Sequence, residues 1–344
     1  MAATPHVAVV GAGIVGSAIA LELARRGAQV TQIDAGGRRA SENSFGWINA
    51  TWLNRDDYFR LRHFSMGVWR ALEGRVPGLA PRWVPSLLWD LEEGPLRNYV
   101  SGRGAMGYGL RLLERDEIAR LEPGLAVPPP LAALGEEEGY IDAGLAAEAL
   151  RKAAAAEGVR PVAEEAVSVG PGTVRLKGGD LVTAGAVVVA AGRGTGTLTG
   201  LPVDEVPGLM VLTTPLRARI SHMLAPPELL VRQDDQGRVL CGGEAGGSRI
   251  DRDGDAIAAD LVERVRGLFG ERDIGLERVI IGYRPVPADE HPAIGPLPDL
   301  PGVYAAVMHS GVTLAPGVAQ LMADEILDGT DSELLGPFRP ARLL

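Results

Sequence analysis

The architecture follows from one stretch near the N-terminus, Val7-Ala8-Val9-Val10-Gly11-Ala12-Gly13-Ile14-Val15-Gly16. Four consecutive apolar residues, Val7 to Val10, have the pattern of a strand buried on both faces in a parallel sheet. Ile14, Ala18, Leu21 and Ala24 then recur at helical spacing, and Gly27 closes that helix. Gln29 to Ile33 reads as the second strand, with Asp34 at its end. The turn between strand and helix is a G-x-G-x-x-G. Gly11 permits the tight turn, Gly13 lets the backbone approach a pyrophosphate, and Gly16 lets the helix pack closely on the strand. The helix N-terminus offers free N–H groups and the positive end of its dipole to the phosphates. Asp34 stands 18 residues past Gly16, where a carboxylate accepts hydrogen bonds from ribose hydroxyls. The competing reading is a glycine-rich turn with no ligand. The complete context of strand, turn, helix, strand and acid weighs against it. The motif itself does not choose between NAD and FAD.

Composition bounds the rest. With 344 residues and 46% hydrophobic content the chain can bury a large core, and its length suggests about two domains. A net charge of -10 argues against a nucleic-acid partner, because binding a phosphate backbone needs a basic surface. No apolar run reaches the ~18 residues that a membrane span needs. The first strand starts after six residues, which is read as leaving no space for a signal peptide. Cys241 is the only cysteine, so no intrachain disulfide can form, and a cytoplasmic protein is expected. His6, His63, His222, His291 and His309 show no zinc spacing with it, so no metal site is expected. Lys152 and Lys177 are the only lysines.

Further along, a helix is predicted over about 52–74, with Leu61, Phe64, Met66, Val68, Trp69 and Leu72 on one broad buried face. His63 on that helix reads as an ordinary polar residue rather than a catalyst. Residues from about 80 to 135 read as irregular and rich in Pro and Gly, with a helical segment near Arg115 to Leu121. Ala143 to Glu157 is a second amphipathic helix, with Asp142 as N-cap and Gly158 as stop. Pro207 to about Gly247 alternates as sheet, and Ala256 to Gly267 is a returning helix.

Three later segments decide the cofactor. Ser41-Glu42-Asn43-Ser44-Phe45-Gly46-Trp47-Ile48 follows the second strand after Arg38-Arg39. Ala186-Val187-Val188-Val189-Ala190-Ala191-Gly192 is a buried strand ending in small residues. Gly282-Tyr283-Arg284-Pro285 leads to Asp289-Glu290-His291-Pro292-Ala293-Ile294-Gly295, the strand Val303 to Val307, and His309-Ser310-Gly311-Val312-Thr313-Leu314-Ala315-Pro316. A helix from about Gly317 to Leu327 follows, with Pro316 at its first position. These segments resemble the D-amino acid oxidase/glycine oxidase/sarcosine oxidase family, and the likeness runs from Val7 to about Gly329.

The resemblance implies an α/β fold. A Rossmann-like FAD-binding domain (1–75, 140–205 and 275–344) would be joined to a discontinuous α+β substrate domain (76–139 and 206–274) built on an antiparallel or mixed sheet. It implies FAD held by Gly11, Gly13, Ile14, Val15 and Gly16 at the glycine turn, and by Asp34, Ala35 and Arg39 beyond the second strand. Ser44, Phe45 and Gly46 would run past the ring, together with Ala191 and Gly192. Gly311, Val312, Thr313 and Leu314 would approach it from the C-terminal helix, whose N-terminus points toward the flavin and favours negative charge on the reduced ring.

In amino acid oxidases of this family the arginine of G-x-R-P binds the substrate carboxylate, and that position is Arg284 here. A guanidinium grips a carboxylate through two parallel hydrogen bonds, which orients the α-carbon. The alternative is that Arg284 pairs with Asp289 or Glu290. Tyr283 and Glu244 are candidate pocket residues, and His309 is expected either to shape the flavin site or to cap backbone. Several departures matter. Arg193-Gly194-Thr195-Gly196 stands where the family usually has an aromatic residue, and Phe45 and Asn49 stand where sarcosine-oxidase-like members carry His and Arg. Cys241 lies too early for the family's covalent flavin link, so non-covalent FAD is expected. No lysine is placed to assist oxygen, which leaves the acceptor open between oxygen and an electron carrier. The expected reaction is oxidation of the C–N bond of a small amino acid or secondary amine by hydride transfer to flavin. The alternatives are a 2-hydroxy acid dehydrogenase of the same fold, or the flavin subunit of a multi-protein dehydrogenase.

Overall fold

The computed structural model describes residues 4–51, 55–243, 247–250 and 253–344. The apolar runs form the middle of a six-stranded sheet. Its order is Ala293–Pro296, Val303–Val307, Ala186–Val189, His6–Val10, Gln29–Ile33, Arg160–Val162. The strands are parallel except Ala293–Pro296, which runs against its neighbour. Val7, Val9 and Val188 pack into a helical layer, where the helix Ile14–Arg25 lies against Ala143–Ala156 and Gly311–Asp328. Ala8, Val10, Val187 and Val189 face the other way, toward a small three-stranded antiparallel sheet spanning 166–183. Burial on both faces is what an unbroken apolar strand requires.

The second sheet has nine strands, mostly antiparallel. Its core is the long strand Val203–Pro215, flanked by Leu276–Pro287 on one side and Arg238–Gly242 on the other. Leu230–Gln233, Met223–Ala225, Ser86–Leu88, Leu131–Gly135 and Leu110–Glu114 continue it outward. One face carries Leu209, Val211, Val231 and Cys241 and is covered by the helix Gly254–Phe269. The other carries Met210, Leu212, Leu230 and Leu240 and packs on Phe45 and Tyr140. The period-2 alternation of strands puts successive residues on these two sides. The fold expectation therefore holds: a parallel Rossmann-like sheet beside a large mixed one.

Three readings of the sequence need correction. The stretch read as irregular holds a full helix, Glu93–Ala105, and the strands Ser86–Leu88, Leu110–Glu114 and Leu131–Gly135. Gly94, Pro95, Gly102 and Gly104 mask the helix, since Gly and Pro are the poorest helix formers. Its buried residues Leu96, Tyr99, Val100 and Arg103 nonetheless form one stripe. The long strand begins at Val203 rather than Pro207. The last helix spans Gly311–Asp328, so Pro316 lies inside it and not at its start. Pro316 has no N–H to give to the carbonyl four residues earlier, that of Val312. The Trp69 indole N–H supplies the missing bond, at 2.9 Å from Val312 O and 3.1 Å from Thr313 O.

Three helix readings hold closely. The helix Arg115–Leu121 falls where predicted, and Ala143–Ala156 starts at Asp142, whose carboxylate accepts the Leu145 N–H at 2.9 Å. The helix predicted over 52–74 runs Asp56–Leu72, with Phe64, Val68 and Leu72 only half-buried. Among the described residues no helix is long and apolar enough to cross a membrane, and no cluster of His, Cys, Asp or Glu could hold a metal ion.

Candidate functional site

The glycine turn is built by close backbone approach. Gly11 has φ +112°, and a Cβ there would lie 2.3 Å from Ala190 O. A Cβ on Gly16 would lie 2.3 Å from Gly11 O. Gly13 differs, since a Cβ there would meet only Ser41 Oγ, at 3.6 Å. The first two glycines are thus required by the protein itself, while the third leaves open space above the helix start. The Ala12 N–H donates to Asp34 Oδ2 at 2.7 Å, and the Ile14 N–H donates to Ser41 Oγ at 3.1 Å. Arg151, which sequence reasoning missed, donates to Ala12 O at 2.8 Å from the helix Ala143–Ala156.

Asp34 and Arg39 meet beyond the second strand. Arg39 donates to Asp34 Oδ1 at 2.6 Å and to Glu42 at 3.2 Å, and the Gly36 N–H also reaches Asp34 Oδ1 at 2.7 Å. Burial works against the Arg39 charge, but the hydrogen bonds to Asp34 and Glu42 outweigh it, so its pKa is raised. Ala35 beside them is exposed. On the other side of the turn, the Ala190 N–H donates to Val10 O at 2.8 Å, which holds Ala191 and Gly192 against Gly11.

The stretch Ser44 to Thr51 passes between the two sheets, anchored at almost every residue. Ser44 Oγ accepts the Gly46 N–H at 3.1 Å, and Gly46 takes φ +80° where a Cβ would lie 2.0 Å from Ile141 O. Thr313 Oγ1 donates to Trp47 O at 3.1 Å and accepts the Asn49 N–H at 3.3 Å. Arg62, buried in the helix Asp56–Leu72, donates to Asn49 O at 3.0 Å. Glu138, fully buried, accepts from Trp47 Nε1 at 2.8 Å, Ser86 Oγ at 2.7 Å and the Tyr108 hydroxyl at 2.6 Å. Burial pushes the Glu138 carboxyl up, and these donors pull it only partly back. No motif marked Glu138 in advance, because a lone Glu in a loop between strands reads as solvated.

The C-terminal block arrives from above. A Cβ on Gly311 would lie 3.2 Å from Val15, so the start of the last helix meets the first helix at the glycine turn. Val312 and Thr313 present backbone there, while the Leu314 side chain is buried in the core. Arg284 Nη1 donates to His309 Nε2 at 3.3 Å, and His309 Nδ1 stands 3.4 Å from Ser310 Oγ. The Arg284 guanidinium lies flat on the large sheet, where a Cβ on Gly208 would meet its Cζ at 3.2 Å. Asp289 is engaged by Arg342 at 2.7 and 3.0 Å, not by Arg284. Tyr283, next along the strand, points to the opposite side, with Arg38 5.5 Å over its ring. Glu244 lies outside the described residues. Lys152 and Lys177 are exposed and paired with Glu148 and Glu165.

A glycine turn at the carboxyl end of a central parallel strand, in a chain with a second, large mixed sheet, defines a two-sheet dinucleotide-binding protein. Residues 6–325 match the family described as FAD dependent oxidoreductase, and the chain belongs to that family. It is 26% identical over 371 residues to the bifunctional protein ThiO/ThiG of Synechocystis, covering all of this chain and 55% of that protein. The chain thus spans about half the length of this relative. It is also 26% identical over 371 residues to an opine oxidase subunit of Rhizobium meliloti, covering 97% of this chain and 96% of that one. In fold it is similar to the glycine oxidase of Geobacillus kaustophilus, with TM-score 0.88, 23% identity, and coverage of 99% and 100%.

The residues present fit FAD. The space above Gly13 is open, Val15 and Gly16 lie in a first turn whose N–H groups have no earlier helical carbonyl to bond, and the buried Arg39 Nε beside Asp34 has no partner.

Proposed function

We propose that the chain oxidises the C–N bond of a small amino acid or secondary amine that bears a carboxylate. The observation that carries this is Arg284: a guanidinium held flat over Gly208 and braced by His309, at the mouth of the last helix. It would grip the carboxylate through two hydrogen bonds and set the α-carbon toward the cofactor. FAD, when bound, supplies the hydride acceptor. The chain's own residues orient the substrate, exclude water and hold charge. His309, with Nε2 3.3 Å from Arg284 Nη1, braces the guanidinium. The last helix directs its N-terminal N–H groups at the site, where they favour negative charge. Tyr283, on the other side of the strand, takes no part in this scheme.

FAD is proposed to bind at the glycine turn, Asp34 and Arg39, and to run past Ser44 to Gly46 beside Ala191 and Gly192. The division proposed is a cofactor unit of 1–75, 140–205 and 275–344 and a substrate unit of 76–139 and 206–274, with the strand of Arg284 on their border. Binding is proposed to be non-covalent, because Cys241 is buried on the sheet face opposite Arg284, against the helix Gly254–Phe269. Acid precipitation should therefore leave the flavin in solution. Arg284→Gln is expected to lower kcat/KM for carboxylate-bearing amines by about 10²-fold, the ~3 kcal/mol of a lost charge-assisted pair, with FAD content unchanged. An equal activity of variant and parent would remove Arg284 from the scheme. A second reading, a flavin subunit of a larger assembly, is favoured by the Rhizobium meliloti relative, which is named as one subunit of an opine oxidase. Co-purification of other chains, with no turnover by the isolated protein, would select it.

A further inference from the structure

Arg232 is a second cation on the same side of the large sheet as Arg284. The pairing register shows this directly. Gly282 stands opposite Gly208 and Ile280 opposite Met210, so Arg284, Gly208, Met210 and Leu212 share one face. Leu212 pairs with Leu240, and Leu240 pairs with Arg232, which puts Arg232 on that face too. Its Nε donates to Phe45 O at 2.9 Å. Its guanidinium lies 4.6 Å over the Tyr140 ring and 5.5 Å from the Phe45 ring centre, both within cation–π range. Neither Nη atom has a hydrogen-bond or ion-pair partner among the described residues, yet the residue keeps some accessible surface.

A cation in such a place is unusual. Burial lowers its pKa, and the nearby acids are committed elsewhere. Asp142 caps the helix Ala143–Ala156, and Asp234 holds Arg238 at 2.8 Å. Arg82, which faces the same region, is paired with Asp235. A buried guanidinium without a carboxylate costs stability unless something else meets it. Phe45 belongs to the stretch proposed to run past the flavin, which sets Arg232 beside the proposed substrate space.

The separation can be bounded twice. From Gly208, under the Arg284 guanidinium, to Arg232 is four residues along and two strands across, roughly 16 Å between Cα atoms at about 3.3 Å and 4.8 Å per step. Asn43 O packs on Gly282 while Phe45 O takes the Arg232 bond, and the Cα atoms of Asn43 and Phe45 are at most about 7 Å apart. Both routes leave the two guanidinium groups on the order of 10–15 Å apart, with the Arg232 side chain drawn back toward Arg284. A molecule with two carboxylates a few bonds apart spans that distance when each is gripped at 2.7–2.9 Å, the usual N–H···O distance of such pairs.

We propose that Arg232 binds a second carboxylate of the substrate, so that the preferred substrate is a dicarboxylic amine or amino acid. This rests on the assignment of Arg284 to the first carboxylate. The test is a binding titration that needs no turnover. The FAD-loaded protein is titrated with glutarate and with butyrate, reading the shift of the flavin absorption band. Glutarate is expected to bind at least 30-fold more tightly than butyrate. Arg232→Gln is expected to weaken glutarate about 100-fold and butyrate less than threefold, with Arg232→Lys between. Flavin content and melting temperature of each variant report whether it folds, and the glutarate preference of the parent stands without any variant. Equal affinity for the two acids, or no binding of either, would overturn the subsite. So would a loss that is the same for both in Arg232→Gln. If glutarate is preferred but no amine or amino acid reduces the flavin, the subsite stands and the proposed reaction falls.

Discussion

Gly11 and Gly13 sit two residues apart in the same turn, yet their needs differ. Gly11 has a left-handed φ and no space for a Cβ, so Gly11→Ala should cost about 2 kcal/mol or more of stability, read as a lower melting temperature. Gly13 is the N-cap of the first helix, with φ -70° and open space, where Ala in place of Gly costs about 1 kcal/mol. Gly13→Ala should therefore fold normally and lose FAD affinity by tenfold or more, measured by flavin fluorescence titration. Equal FAD affinity in Gly13→Ala would mean that nothing approaches that atom. The glycine turn was legible from sequence because its spacing and flanks carry the physics. Glu138, Arg232 and Arg151 were not legible. Each is a single charged residue whose role exists only once distant segments meet: Trp47, Ser86 and Tyr108 for Glu138, Phe45 and Tyr140 for Arg232, and Ala12 for Arg151.

The last helix shows how an element is assembled from two distant parts. Placing its start after Pro316 followed a sound local rule, since Pro fits the first turn. The rule fails because Trp69, from the helix Asp56–Leu72, takes the carbonyl that Pro316 orphans. A Cβ on Gly317 would lie 2.2 Å from Ser65 Oγ, so the same two helices are also in backbone contact. Trp69→Phe keeps an aromatic ring, removes the donor and leaves a small gap where the second ring of the indole stood. It should destabilise by about 1–3 kcal/mol, the cost of an unsatisfied buried carbonyl, and loosen the helix start that meets the glycine turn. Denaturant unfolding would measure the first effect, and hydrogen exchange at Gly311 to Leu314 the second. Unchanged stability would mean that Val312 O finds water instead. The missed helix Glu93–Ala105 carries the same lesson in reverse: its stripe of Leu96, Tyr99, Val100 and Arg103 outweighs poor local propensity once it packs on the large sheet.

A buried carboxyl links the large sheet to the stretch Ser44 to Thr51. Glu138 binds Ser86 of the large sheet and, through Trp47 and Tyr108, the stretch beside the cofactor unit. Its folded pKa lies above the ordinary carboxylate value. The stability it contributes is thus complete below the unfolded pKa and declines as pH rises through the folded one. Glu138→Gln cannot titrate and turns an amide N–H₂ toward donors. The advantage of the parent over Glu138→Gln should be larger at about pH 4 than at about pH 8, read by urea unfolding at both. A gap that widens with pH would contradict the sign of the shift. The architecture was read from sequence because its strands and turns are local patterns. The proposed substrate space was not, because its proposed residues Arg284 and Arg232 sit in the large sheet, where register decides which side chains share a face. The central claim is a flavin enzyme acting on carboxylate-bearing amines, and one measurement meets it most directly. It is the visible spectrum of the purified protein before and after anaerobic addition of amino acids and amines. The expected result is a yellow protein with bands at about 370 and about 450 nm, bleached by a carboxylate-bearing amine. A protein that takes up no FAD, or one whose bound FAD only 2-hydroxy acids bleach, would contradict it.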